Sequence, residues 1–484
     1  MGGSAQFGTM TDAGHIVRRH PLLRASPALA CIACFLLQLM LFWPGLADYD
    51  TINVYEQILN GIFSNWHPPI LGAIWRVFLL TPLEGTSGPY LLQVCMFWAG
   101  VGGMIFGLRG RDETGPAFAV LAACLIPVVF GFETVVIKDA QLTSAVLCAT
   151  GIWSYFTLRG KPVPIAPTVV IALLLTYAML VRFNAIFAVF PLGLMMAAGR
   201  QGGTARTVRM SFAGMAMLVL VLSGPFINES LLGATDEHPE RQISLYDLAG
   251  ITHYGHLETM PGVSVTDWRR AERRNCYQPF YWDPYGSEDG CPWIFEAAFN
   301  RGALWTDWIS TIAAHPFPYA RHRLAHFNTT LRWLVPSGQP RASTNAQSEL
   351  NPYGLGVTQN FATKFSHRVQ KVAEYTPLSW PIFWFALGWS LLIFVFRKRS
   401  LEYRSITFAL LLSALCVESS FLVISISSDL RYHHWAITAI SVAAALVFSD
   451  RSMTRQHAWR LLSFPAAITL AGSLARFVLT PAWP

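Results

Sequence analysis

The sequence predicts an all-α, polytopic membrane protein with about eleven transmembrane helices. Of its 484 residues, 53% are hydrophobic and only 13% are charged, whereas soluble domains have about 25% charged residues. The mean hydropathy is +0.39, and apolar runs near the roughly 20 residues that span a bilayer recur along the chain. No basic, aromatic-interleaved soluble module is present, so we expect no nucleic-acid partner.

The first elements are a polar, basic segment, 1–25, that we expect in the cytoplasm, and an apolar run, 26–46. A cleavable signal peptide is the alternative interpretation of these two segments. Ten further spans are predicted, with a long polar segment before the last four. They are 89–108, 115–132, 140–158, 164–181, 185–198, 210–227, 378–396, 405–427, 436–448 and 461–479.

The amphipathic run 66–82 decides the topology. If it lies in the membrane interface, all clusters of Lys and Arg fall on one side, as the positive-inside rule requires. If it spans, the clusters scatter over both sides. The sequence therefore predicts a cytoplasmic N-terminus and an outer C-terminus. The clusters are 18–24, 109–111, 159–161, 200–209, 397–404 and 451–460.

Four parts follow from these boundaries. A cytoplasmic tail (1–25) precedes a transmembrane module (26–227) whose first outer loop is 47–88, then a mostly helical outer loop domain (228–375), then C-terminal transmembrane helices (376–484). We expect helices at 294–313 and 316–334 within the loop domain. Its many aromatic residues either stack on sugars or form the core of a small domain. If the domain is extracytoplasmic, Cys276 and Cys291 are expected to form a disulfide.

The first outer loop carries the strongest candidate for a functional site. Asp48 and Asp50 follow the first span, where a helix leaves the bilayer, and Glu56 and Gln57 lie in the amphipathic stretch beyond them. His67-Pro68-Pro69 then separates this stretch from a second amphipathic run. Carboxylates at the rim of the hydrocarbon are costly when unpaired, so they indicate function. An ordinary solvated loop is the alternative.

Three isolated cations, Lys138, Arg182 and Arg431, stand at span ends on the predicted outer side. They break the positive-inside rule and suit an anionic phosphate headgroup. Pairing within the protein, such as Lys138 with Asp139 or Arg431 with Asp429, is the alternative.

No cofactor is evident from the sequence. The histidines lack HExxH or a similar spacing, which predicts no dedicated zinc site. A role for another divalent metal is left open. Walker A and GxGxxG loops are missing as well, which argues against an ATPase or a dinucleotide enzyme.

The order of these features resembles the integral-membrane glycosyltransferases of the GT-C fold, a class that includes lipid A aminoarabinose transferases, protein O-mannosyltransferases and mycobacterial arabinosyltransferases. The resemblance rests on Asp48-Tyr49-Asp50 after the first span, on Trp66-His67-Pro68-Pro69 between two interfacial helices, and on Lys138-Asp139 opening the fourth span. It covers about the first 200 residues in organisation. It implies a bacterial inner-membrane enzyme whose site faces outwards.

The resemblance also implies the chemistry. A polyprenyl-phosphate sugar is the expected donor, and a hydroxyl of an extracytoplasmic glycan, lipid or protein is the acceptor, with inversion at the anomeric carbon. A carboxylate would deprotonate the acceptor, and cations would stabilise the departing phosphate. Asp50 is the expected base, Asp48 the second choice, and Asp139 the residue that orients acceptor or base. Phosphate candidates are Lys138, Arg182 and Arg431, and substrate-positioning candidates are Glu56, Gln57, His67 and Tyr432.

Two other functions fit the residues. A transporter or flippase of a lipid-linked sugar would share the spans and the phosphate-binding cations, but inverted repeats with broken helices would be expected, and the sequence shows no convincing repeat. A glycan polymerase or ligase that uses a lipid-diphosphate donor would share the broad chemistry.

Overall fold

The computed structural model describes residues 21–109, 111, 113–199, 203–299 and 301–480. Within these ranges the chain is helical, with three isolated β-bridges and no β-strand. The predicted cytoplasmic tail up to residue 20 and the basic residue Arg200 lie outside them.

Twenty α-helices make up the described part, joined by short 3-10 turns and one π-helical turn, Phe226–Leu231. They are α1 (Pro21–Phe42), α2 (Tyr49–Asn60), α3 (Pro69–Phe78), α4 (Ser87–Arg109), α5 (Thr114–Cys124), α6 (Pro127–Phe132), α7 (Lys138–Leu158), α8 (Ile165–Val181), α9 (Ile186–Ala198), α10 (Thr204–Leu222), α11 (Arg241–Tyr254), α12 (Val265–Arg273), α13 (Pro292–Ala298), α14 (Leu304–Ala314), α15 (Pro316–Thr330), α16 (Phe361–Glu374), α17 (Pro381–Arg397), α18 (Arg404–Ile424), α19 (His434–Phe448) and α20 (Arg455–Val478).

Four of these helices, α4, α10, α18 and α20, are long and apolar enough to cross a membrane. Shorter apolar helical stretches lie within α1, α3, α5, α8 and α17, and one, Phe183–Ala198, combines a 3-10 turn with α9. The all-helical class is therefore confirmed, and the count of eleven spans stays a prediction. Helix α3 has 10 residues, which gives a length of about 15 Å, half of the roughly 30 Å hydrocarbon core. That length is shorter than a single span requires, and the interfacial position of α3 stays a prediction.

The predicted span 115–132 is not one helix. Helix α5 ends at Cys124 and α6 begins at Pro127. Proline has no amide hydrogen to donate and disfavours helical backbone in the residue before it, so it ends a helix or kinks it.

The main core forms where α4 packs along α7 and α18 packs along α19 and α9. Small residues allow the close crossing of α4 and α7. A Cβ added at Gly103 would lie 2.7 Å from the carbonyl carbon of Gly151, so the two backbones meet where neither has a side chain. Close backbone approach through glycine is common between membrane helices.

A second, separate core lies in the predicted outer loop domain and is formed by α11 to α14 with the segments between them. Its members include Tyr246, Trp268 and Tyr285. Cys276 and Cys291 are joined by a disulfide within this core.

One short contact positions the first outer loop. Leu46, after α1, lies beside the extended residues before α7: its amide donates to Thr134 O at 2.9 Å, and Val136 N donates to Leu46 O at 2.9 Å. Thr51 Oγ1 of α2 donates to Val136 O at 2.5 Å. The start of α2 is thereby held against the start of α7, which brings the acids of the first outer loop next to Lys138 and Asp139.

Candidate active site

Asp48 begins helix α2 as its N-cap. Its Oδ1 accepts from the amide of Thr51 at 3.0 Å, and Thr51 Oγ1 accepts from the amide of Asp48 at 3.2 Å, so the two residues form a capping box. The other oxygen, Oδ2, accepts from Arg431 at 3.0 Å. Both oxygens of Asp48 are therefore engaged.

Asp50 lies in the first turn of α2, where the positive end of the helix dipole favours a carboxylate. Its Oδ2 lies 3.3 Å from Lys138 Nζ and 3.1 Å from Arg431 Nη1. Among the contacts that the described residues make, none uses Asp50 Oδ1. This oxygen is therefore available to accept a hydrogen bond or a proton from a substrate.

Arg431 is the centre of the cluster, although it lies in the 3-10 turn before α19. Besides Asp48 and Asp50, its Nε lies 3.2 Å from Asp429 and 3.9 Å from Asp139. One guanidinium thus holds carboxylates from three distant parts of the sequence. The alternative pairing of Arg431 with Asp429 occurs, but as one contact among four.

Arg182 and Asp139 form an ion pair in which Asp139 is buried. Arg182 Nε donates to Asn184 Oδ1 at 3.1 Å, and its guanidinium lies 4.5 Å from the ring centre of Tyr432. The guanidinium of Arg431 lies 5.6 Å from the same ring. Tyr432 therefore joins the two arginines. The alternative pairing of Lys138 with Asp139 does not occur, because Lys138 forms an ion pair with Asp50 and Asp139 forms one with Arg182.

Arg341 and Asp283, which sequence analysis did not identify, extend the network outwards. Arg341 Nη1 lies 3.1 Å from Asp429 Oδ1, and its Nη2 lies 2.6 Å from Asp283 Oδ2. Both residues lie in the long outer loop without helical or strand periodicity. The only sequence signal was their charge among many charges, so the pairing required the fold.

Opposing electrostatic effects give the two carboxylates of α2 different pKa values. Burial and the neighbouring charge of Asp50 raise the pKa of Asp48 to about 6, against the opposing effect of Arg431. Burial also acts to raise the pKa of Asp50, but Arg431 and Lys138 outweigh it and hold that pKa well below its usual range. Asp50 is therefore ionised at neutral pH, whereas Asp48 titrates near pH 6.

His67 lines the same cleft as Asp50 and Lys138, and the charges of both act on it. Burial, followed by the charge of Lys138, lowers the pKa of His67 to about 4, so the imidazole is neutral at pH 7. Its Nδ1 is buried and has no hydrogen-bond partner among the described residues. That atom therefore makes no hydrogen bond that would hold the turn before α3 in place, and the predicted substrate-positioning role of His67 stays a prediction.

These residues line a cleft of about 1650 Å³. Asp48, Asp50, His67, Lys138 and Arg431 lie along it, as do Arg182 and Tyr432. One wall is apolar and comes from the ends of α8 and α10, with Met179, Leu180, Val181, Leu220 and Val221. A second wall is polar and aromatic and comes from the predicted outer loop domain, with Trp282, Asp283, Glu288, Glu296 and Arg341.

Two predicted positioning residues lie away from the cleft. Glu56 is exposed and accepts from the hydroxyl of Tyr353 at 3.1 Å. Gln57 accepts from the amide of Ser64 at 3.1 Å. Neither is among the residues that line the cleft.

A cluster of possible metal ligands lies at the edge of the cleft. One ligand atom from each of Asp236, His238 and Glu240 falls within 4.8 Å of the others. His238 Nδ1 already lies 2.9 Å from Asp236, and the two acids are exposed. Exposed acidic groups of this kind are common without a bound ion.

The comparisons with known proteins come from structure. No family model and no curated protein matches the chain. Two structures of an oligosaccharyltransferase from Archaeoglobus fulgidus, a GT-C glycosyltransferase, align with it at 13% sequence identity. One is AglB with an inhibitory peptide and a dolichol-phosphate, which covers 95% of this chain and 56% of that chain with a TM-score of 0.39. The other is the apo form, which covers 94% and 55% with a TM-score of 0.40. This chain thus spans about half the length of these structural neighbours.

Proposed function

We propose that this protein is a membrane glycosyltransferase. It moves a sugar from a polyprenyl-phosphate donor to a hydroxyl of an extracytoplasmic glycan, lipid or protein, with inversion at the anomeric carbon. The observation that carries the proposal is the cluster of Asp48, Asp50, Lys138, Arg182 and Arg431 in one cleft. It combines a free carboxylate oxygen with cations that can hold a phosphate.

The donor would enter from the apolar wall. Val181 lies in that wall and Arg182 follows it directly, so a lipid tail on the apolar surface places its phosphate at Arg182. Arg431 is the next cation along, because both arginines contact Asp139 and the ring of Tyr432. Arginine suits this task because its guanidinium can grip two phosphate oxygens at once.

Asp50 is the better placed base. Asp48 uses one oxygen to cap α2 and the other to bind Arg431, whereas Asp50 keeps Oδ1 free. A base must reach the proton that it removes, and geometry comes before basicity in choosing it.

The reaction then follows from the positions of the charges. Asp50 takes the proton of the acceptor hydroxyl, and the acceptor oxygen attacks the anomeric carbon from the face opposite the phosphate. The bond between that carbon and the phosphate oxygen breaks, and its electron pair stays on the phosphate. Arg182 and Arg431 stabilise the growing negative charge, which is the effect that contributes most at such sites.

Arg431 also connects donor binding to the strength of the base. Without donor, its charge lowers the pKa of Asp50, which makes Asp50 a weak base. A donor phosphate that pairs with the same guanidinium neutralises part of its charge. The pKa of Asp50 then rises, and Asp50 becomes a stronger base. The base is therefore strengthened when donor is present.

The test uses the full chain in proteoliposomes with a panel of polyprenyl-phosphate sugars. Release of polyprenyl phosphate on addition of acceptor is the expected result. If the intact sugar lipid crosses the bilayer and no lipid phosphate is released, the protein is a transporter and the proposal is wrong. Release of the lipid diphosphate from a diphosphate donor alone would instead make it a polymerase or ligase.

A further inference from the structure

The polar wall of the cleft is built on a closed loop. Residues 277–290 lie between the two half-cystines, Cys276 and Cys291. The middle of this loop is tied to the segment before α19: Trp282 N donates to Ile426 O at 3.0 Å, and Tyr281 forms an antiparallel bridge with Ser427. Trp282 and Asp283 are thereby held at a fixed place near Asp429.

Two tryptophans meet at this wall. Trp66, from the turn before α3, and Trp282 are half-buried, and both line the cleft. Their ring centroids are 6.1 Å apart. Phe299 lies 6.5 Å from Trp66, and Phe295 lies 6.2 Å from Trp282. The two indoles are thus supported by other rings and offer a rigid apolar surface with polar edges.

An ion pair lies beside the tryptophans. Asp283 and Arg341 are 2.6 Å apart, and their side chains are 32% and 44% exposed, whereas Arg431 in the cluster is 18% exposed. The carboxylate accepts hydrogen bonds and the guanidinium donates them. A sugar hydroxyl does both, so it can bridge the two side chains.

The backbone of Arg341 is held in an unusual conformation. Its φ is +54°, a region that few residues other than glycine adopt. Its carbonyl accepts from Leu430 N at 3.1 Å and from Arg332 Nη2 at 3.2 Å. Backbone held in this way clusters at functional sites, and here it fixes the side chain that faces Asp283.

The ion pairs order the cleft from its apolar wall to its polar wall. The contacts run from Arg182 through Asp139 to Arg431, and from there through Asp429 and Arg341 to Asp283. The donor phosphate would lie at the Arg182 end. The Asp283 end is consequently on the side of the acceptor.

Charge and secondary structure favour one class of acceptor. Glu288 and Glu296 also line this wall, so a uronic acid or another anionic acceptor would be repelled. Many peptide-binding domains add the peptide to the edge of a sheet, and the described ranges contain no β-strand. A neutral sugar meets neither obstacle.

We propose that Trp66, Trp282, Asp283 and Arg341 form a subsite for a neutral sugar of the acceptor, so that the acceptor is a glycan. This inference rests on the proposed function. The indoles contact the C–H face of the ring, and Asp283 and Arg341 bind its hydroxyls. The acceptor hydroxyl of that sugar is then directed towards Asp50.

The experiment measures binding without turnover. The full chain in nanodiscs is mixed with one probe at a time, and binding is followed by saturation-transfer NMR. The neutral probes are the methyl glycosides of glucose, galactose, mannose and arabinose. Methyl glucuronoside and a Ser/Thr-containing hexapeptide represent the other classes of acceptor. We expect at least one neutral glycoside to bind, and Trp282→Ala and Asp283→Asn each to weaken it roughly tenfold, a loss of about 1.4 kcal/mol. Asp283→Asn keeps the side-chain shape and guards against misfolding. Matched controls are Trp305→Ala and Asp307→Asn, both in the outer domain and away from the cleft.

Each outcome decides the inference. The inference is wrong if no neutral glycoside binds, including the case in which only the peptide or only the glucuronoside binds. It is also wrong if a neutral glycoside binds the native chain and both variants equally well. Failure of the proposed function looks different. In that case a neutral glycoside binds in a Trp282-dependent manner, but the native chain releases no lipid phosphate from any donor.

Discussion

Arg431 Nη1 lies 3.0 Å from Asp48 Oδ2, although 383 positions separate the two residues. The contact joins the first outer loop to the turn that precedes α19, and Asp50, Asp139 and Asp429 lie around the same guanidinium. One guanidinium therefore connects both carboxylates of α2 to Asp139 and, through Asp139, to Arg182.

Replacing Arg431 by alanine should weaken use of the donor more than use of the acceptor. Hydrogen bonds to a charged group contribute about 1.5–3 kcal/mol, so we expect the KM for the polyprenyl-phosphate donor to rise tenfold or more. Steady-state kinetics with each substrate varied in turn would measure it. Arg451→Ala is the control, because Arg451 is 80% exposed and pairs with Glu113. An unchanged donor KM in Arg431→Ala would assign Arg431 a structural role with Asp429.

The rate should fall as pH falls through about 6, because Asp48 gains a proton there. Neutral Asp48 no longer shares the charge of Arg431, which then acts more strongly on Asp50 and weakens it as a base. Asp50 stays ionised in this range because its pKa lies below its usual range, and His67 stays neutral because its pKa is about 4. The limb near pH 6 in kcat/KM should therefore disappear in Asp48→Asn. A limb that persists in that variant would assign it to another group.

Asp247→Asn should destabilise the outer loop domain. Asp247 is fully buried and lies 2.7 Å from Arg323 Nε, and it accepts from Trp308 Nε1 at 2.9 Å and bonds to His322 at 3.0 Å. Removing one partner of a buried ion pair costs about 3–5 kcal/mol. Thermal unfolding and protease susceptibility of the full chain should both show the loss, whereas Asp307→Asn, in an exposed pair, should show little. Equal stability of the two variants would contradict this role.

The disulfide should be protected and stabilising. Thiol labelling of the non-reduced protein is expected to miss Cys276 and Cys291 and to reach them only after reduction. Closing a loop with a sequence separation of 15 contributes about 3 kcal/mol, so the double serine variant should unfold at a lower temperature. Labelling of either cysteine before reduction would show that the bond is not formed.

The sequence predicted the helical class and most helix positions, because each apolar run is local. It also marked Lys138, Arg182 and Arg431 as exceptions to the positive-inside rule, and Asp48 and Asp50 as carboxylates at the rim of the hydrocarbon. The pairing of these charges could not be predicted in the same way. Lys138 and Asp139 are neighbours in the chain, but adjacent residues on a helix point in different directions, and each pairs with a distant residue.

The polar wall was the part that sequence patterns missed. Arg341 and Asp283 lie 58 positions apart in a segment without period, and their contact depends on the disulfide loop and on the turn that Arg332 supports. Pro127 was visible in the sequence, yet the run around it was apolar enough to suggest one span where the structure has two helices.

The most direct test of the account is release of polyprenyl phosphate by membranes that carry the native chain, Asp50→Asn or the control Glu84→Gln at matched expression. Glu84 lies in the same outer loop but does not line the cleft. Loss of a general base typically costs about 10²–10⁴ in rate, so we expect release by the native chain and Glu84→Gln and a loss of that size in Asp50→Asn. Release by Asp50→Asn at the native rate would contradict the assignment of the base to this residue.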